Sequence, residues 1–145
     1  MKKIKVLLLT FALILLAGCG KSLTNKSTGD TMKISLDVDT SSNYVWSYSI
    51  MDSNVIDLKS EEFLTPADDE TLDSDAQVLT FKAFNEGESE IILSYMNNDS
   101  GKTKYDITYV ITVDANKNIK VKEKSGKYSK KLPNPVIYTE SNDEK

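Results

Sequence analysis

The chain has 145 residues, 28% of them charged and 39% hydrophobic, with a formal charge of −4, no histidine, one cysteine and one tryptophan. That length suits a single domain, and without histidine there is no Ser-His-Asp triad, no Cys-His dyad, no His general base and no His-bearing zinc site. A lone cysteine builds no internal disulfide, and eighteen lysines with no arginine, in a net acidic chain, argue against two-point phosphate clamping and against a nucleic-acid partner.

In chain order, Lys2, Lys3 and Lys5 precede an apolar run from Val6 to Ala17 that only Thr10 interrupts. A basic start followed by a short apolar stretch is the layout of a secretory signal peptide, and the run is shorter than the ~20 residues of a membrane-spanning helix. It ends in Leu16-Ala17-Gly18-Cys19, which resembles a bacterial lipobox. Residues 1–18 are therefore expected to be a lipoprotein signal, with Cys19 lipidated and tied to the extracytoplasmic face of the cell membrane. Two or more acyl chains anchor stably where one binds only marginally. From Cys19 onward, fifteen lysines face 22 acids, a formal charge of −7. Residues 19–31 are rich in Lys, Ser, Thr, Asn and Gly, with Leu23 as a lone large apolar side chain, and read as a flexible tether.

Period-two alternation then sets in, the mark of half-buried strands. Met32, Ile34, Leu36 and Val38 form the first run; Tyr44, Trp46, Tyr48 and Ile50 the second; Val55, Ile56 and Leu58 a shorter third. Leu79, Phe81 and Ala83, then Ile91, Leu93 and Tyr95, then Ile107, Tyr109, Ile111 and Val113, and last Ile119 and Val121, complete seven runs. Asn-, Asp- and Gly-rich turns separate the later ones. The pattern predicts an all-β, immunoglobulin-like antiparallel sandwich of about seven strands over residues 32–124, with Trp46, Phe81 and Tyr95 in its core. Residues 61–77 read as an acidic crossover loop. Its Asp68-Asp69-Glu70 run lacks the spaced carboxylates of a calcium loop, so no metal is expected. Residues 125–145 form a tail whose apolar knot, Val136-Ile137-Tyr138, either docks as an edge strand or stays disordered, since Pro133 and Pro135 argue against a central strand.

Two stretches carry a family resemblance. Asp39-Thr40-Ser41-Ser42-Asn43-Tyr44-Val45-Trp46 resembles the Asn-Pro-Thr-Thr-Gly-aromatic-x-Trp motif of the chagasin-like cysteine protease inhibitors, with Asn43 in the place of a glycine. Leu79 to Tyr95, with Phe81-Lys82-Ala83, Gly87 and Ile91-x-Leu93-x-Tyr95, is similar to that family's core hairpin. The resemblance implies an inhibitor and not an enzyme, working without a cofactor, as a monomer. Three loops would enter the cleft of a papain-like cysteine protease: Thr40, Ser41, Ser42, Asn43 and Tyr44; then Leu72, Asp73, Ser74 and Asp75; then Met96, Asn97 and Asn98. The family's second loop is Gly-x-Gly-Gly, and its third offers Arg-Pro and an aromatic. This chain has Leu72-Asp73-Ser74-Asp75 and Met96-Asn97-Asn98-Asp99 there. A surface immunoglobulin-like binding or structural module with no protease target is the alternative.

Overall fold

The alternating runs become eight β-strands in a computed structural model that describes residues 28–140, one strand more than the pattern predicts. They are β1 (Thr31–Asp37), β2 (Tyr44–Ile50), β3 (Ile56–Leu64), β4 (Ala76–Ala83), β5 (Gly87–Asn97), β6 (Thr103–Val113), β7 (Ile119–Lys127) and β8 (Val136–Tyr138). Two four-stranded antiparallel sheets, ordered β3-β4-β1-β8 and β2-β5-β6-β7, face each other as an immunoglobulin-like sandwich. The signal segment and Cys19 lie outside the described residues.

Alternation explains the core. Met32, Ile34 and Leu36 of β1 are fully buried, while Lys33, Ser35 and Asp37 between them face out. Ile91 and Leu93 of β5 and Ile107, Tyr109 and Ile111 of β6 meet them from the other sheet, also fully buried. Each such side chain contributes about 1.5–3 kcal/mol on leaving water. Trp46, Phe81 and Tyr95 are all buried. β4 is buried from Ala76 to Phe81 without a break, being flanked by β3 and β1.

Three boundaries differ from expectation. β3 runs on to Leu64 and β4 begins at Ala76, so the acidic loop is residues 65–75 and not 61–77. β3 is an edge strand, and its Glu61 and Glu62 pair with Leu79 and Val78 by backbone alone. Its charges therefore do not oppose strand formation. The folded body is also wider than 32–124. The Gly29 carbonyl accepts the Ile119 N–H at 2.8 Å, and the Asp30 carbonyl accepts the Ala83 N–H at 2.8 Å. At the far end β7 continues to Lys127, a strap follows, and β8 adds to the free edge of β1. Pro133 and Pro135 sit in the strap, where no ladder hydrogen bond is needed. Tyr128 and Leu132 of the strap pack on the core, and the Tyr109 hydroxyl donates to the Pro133 carbonyl at 3.0 Å.

The strands place the connections at two poles. Residues 38–43, 65–75 and 98–102 lie at one, joined by hydrogen bonds. Gly29, Asp30 and Glu140 lie at the other, where Lys82 pairs with Asp30 at 2.7 Å and Lys59 with Glu140 at 2.5 Å. β1 alone spans about 20 Å between the poles.

Candidate functional site

The first loop is folded by its own polar side chains. The Asp39 carboxylate accepts the Ser41 N–H at 3.0 Å and the Ser41 hydroxyl at 2.5 Å, an Asx turn. The Ser42 hydroxyl donates to the Asp39 carbonyl at 2.8 Å and accepts the Tyr44 N–H at 3.3 Å. Behind the turn, the Asp39 N–H donates to the Tyr95 hydroxyl at 3.2 Å. These bonds to Ser41, with a smaller contribution from Lys104, hold the Asp39 carboxyl below its ordinary value.

The other two loops lock onto the first. The Thr40 hydroxyl donates to the Asp75 carboxylate at 2.5 Å, and the Val38 N–H to the Asp75 carbonyl at 3.0 Å. Ser74 donates to Asp37 at 3.2 Å. On the other side, the Asn98 N–H donates to the Asn43 carbonyl at 2.8 Å, and the Asn43 amide donates to the Asp99 carboxylate. The Asn97 side-chain oxygen accepts the Asp99 N–H at 3.1 Å and the Ser100 N–H at 2.8 Å, closing the third loop. Thr40, Ser41, Ser42, Asn43, Ser74, Asp75 and Asn98 thus share one pole with Leu72 and Asp73 of the second loop, Leu72 being half-buried.

Three expected loop residues are placed in strands, Tyr44 as the first residue of β2 and two more in β5. Met96 and Asn97 belong to β5, opposite Val45 and Tyr44, because the hairpin stays paired until Thr103. Met96 lies on the outer face, where its sulfur accepts the Ser47 hydroxyl at 3.2 Å. The tip of the third loop is residues 98–102, within which Asp99, part of the stretch expected to form that loop, joins Asn98 in tying it to Asn43.

A cluster of rings supports this pole. Tyr95 lies 5.3 Å from Tyr44, 5.0 Å from Trp46 and 6.1 Å from Tyr105, centroid to centroid. Tyr128 of the strap meets Trp46 edge-on at 5.6 Å and Tyr105 at 5.5 Å. The Lys104 ammonium sits over the rings of both Tyr44 and Tyr105. The Trp46 indole N–H donates to the Asp37 carbonyl at 2.9 Å. Lys130 pairs with the Asp37 carboxylate, and that bond raises the lysine's pKa. Burial raises that of Tyr128, with Asp37 adding to it. Tyr105 was visible in the sequence as the next inward position of the β6 alternation. Tyr128 carried no such signal.

Among the described residues no three acidic side chains converge as metal ligands. Asp68 and Asp69 are spent on the hydroxyls and amides of Thr65 and Thr71, bonds that lower both carboxyl pKa values.

Residues 25–113 match the chagasin family of peptidase inhibitors, family I42. The crystal structure of the cysteine protease inhibitor EhICP2 from Entamoeba histolytica is similar to the chain at 20% identity, covering 61% of this chain and 81% of that one with a TM-score of 0.49. No curated protein matches.

Proposed function

The chain belongs to the chagasin family of peptidase inhibitors, and from that premise we propose that it is a reversible inhibitor of papain-like cysteine peptidases, lipid-anchored through Cys19 on the extracytoplasmic face of the cell membrane. It blocks the active-site cleft with the three loops at one pole of the sandwich. The observation that carries this reading is that the loops hydrogen-bond to one another through Thr40–Asp75 and Asn43–Asp99. A wedge already ordered by such bonds loses little conformational entropy on binding. Occluding a cleft needs shape and not proton transfer, which suits a chain without histidine. Gly29, through which the expected tether joins the sandwich, lies at the opposite pole, so a membrane-held copy offers its loops outward.

Titrating papain and related cysteine peptidases with the purified protein tests the reading. The expected result is saturable inhibition that reverses on dilution. Activity unchanged at micromolar protein across several such enzymes sinks it. Cys19→Ala, expressed in bacteria, is expected to abolish fatty-acid labelling and membrane retention. Labelling that persists in this variant refutes the anchor. A binding module without a peptidase target is the second reading. It is favoured by the side chains and charges of Leu72, Asp73, Ser74 and Asp75, which obstruct close backbone approach. The same titration separates the two.

A further inference from the structure

Beside the loop pole the two sheets part, and a groove of about 240 Å³ opens between the end of β1, β6 and the strap. Trp46, Tyr95, Tyr105 and Tyr128 line it, with Asp37 and Lys130 at the rim. That volume is below the ~300–1,000 Å³ of small-molecule pockets and matches a single large side chain. Asp37 is paired with Lys130, Asp39 is capped by Ser41, and Lys104 rests on two rings, so the charged groups of the lining are exposed and held at its rim. Inside that rim the groove offers mainly ring surface. An apolar side chain fits the rings while the rim charges keep their contacts with water. The groove is continuous with the first loop, since Asp39 lines it and donates to its Tyr95 hydroxyl, and Tyr44 packs on the same ring.

We propose that this groove is a second contact site for the peptidase, taking one aromatic or long aliphatic side chain from the enzyme surface beside its cleft. The inference rests on the loop reading above and adds an anchor of the kind that dominates interface energetics, an apolar side chain in a ring-lined pocket. Ser129 is exposed at the mouth of the groove, so Ser129→Trp fills it from outside without disturbing the core. Tyr128→Ala removes one wall. Ser125→Trp places the same ring on an exposed position of β7, away from the groove. Inhibition constants for papain-like peptidases, with thermal unfolding to verify the fold, decide the matter. Ser129→Trp and Tyr128→Ala are expected to raise Ki at least tenfold, and Ser125→Trp to leave it unchanged. Unchanged Ki in folded Ser129→Trp overturns the groove and leaves the loops standing. A rise for Ser129→Trp with none for folded Tyr128→Ala also overturns it, because obstruction alone then explains the effect. If Tyr128→Ala fails to fold, Tyr128→Leu, which keeps an apolar side chain against the core but removes the ring, takes its place, and an unchanged Ki in that folded variant overturns the groove in the same way. No inhibition by the unaltered protein overturns the loop reading, and this inference with it.

Discussion

Gln77 is fully buried in β4, yet neither polar atom of its amide is without a partner. Its oxygen accepts the Trp46 N–H at 2.8 Å, and its nitrogen donates to the Trp46 carbonyl at 2.7 Å and to Glu61 at 2.5 Å. β2 is an edge strand, so these Trp46 groups have no ladder partner on that side. A side chain from the opposite sheet supplies one and holds the sheets together where the loop pole begins. Gln77→Leu keeps the bulk and strands both backbone groups, so a loss of about 2–4 kcal/mol is expected in urea unfolding. Gly126 makes a different demand. Its φ is 136°, and a Cβ there would lie 2.2 Å from the Asp106 carbonyl oxygen. Gly126→Ala should cost about 1–3 kcal/mol by the same measurement, through strain in the β6–β7 pair. Asp39 gives a pH prediction. Its carboxyl titrates below the free value of 3.8 when folded. The contribution of the cap is thus complete above that value and is lost as pH falls through the depressed one. NMR should show an unchanged Ser41 amide from about pH 8 to about pH 5, with loss of the turn only in stronger acid.

Among the elements, the strap and β8 do more than trail from the sandwich. They close the edge of β1, place Leu132 and Ile137 against the core and cap the Tyr109 hydroxyl. Ending the chain after Lys131 should cost at least about 2 kcal/mol, from the apolar surface of those two side chains. Tyr109, pushed up to about 12 by burial, should then titrate nearer its ordinary value of 10.0, as read by tyrosinate absorbance. Strand environment decides which elements are legible in the sequence. In β1, β5 and β6 one face is core and the other solvent, so Met32-x-Ile34-x-Leu36 and Ile107-x-Tyr109-x-Ile111 announce themselves. β3 past Leu58 is an edge, where the register shifts at Lys59 and Ser60, Glu61 and Glu62 pair without burying a face, and its alternation vanishes. β8 is three residues behind two prolines. Gln77 looks like a surface residue until the opposite sheet is in place. Of the loop pole, the stretch from Thr40 to Tyr44 was legible because turn chemistry is local. The extent of the third loop was not, because Met96 and Asn97 answer to their strand partners.

For the molecule as a whole, polarity is the organising fact. The three loops and the ring-lined groove occupy one pole, and Gly29 and Glu140, close to the two ends of the described chain, occupy the other. A tether attached at either end therefore leaves the loops facing the same way. This predicts the outcome of moving the anchor. Protein held on vesicles through a lipid at residue 19, or through one joined beyond Lys145, should inhibit a soluble peptidase equally well. A copy held by a lipid at Ser100, whose N–H and hydroxyl bind Asn97 within the third loop, should lose inhibition. There the bilayer covers the pole that must meet the enzyme. The readout is peptidase activity in the vesicle suspension, compared with the same variants released by detergent. Detergent should restore the third copy toward the others if burial of the pole is the cause. Equal inhibition by all three on vesicles would show that the working surface lies elsewhere on the sandwich.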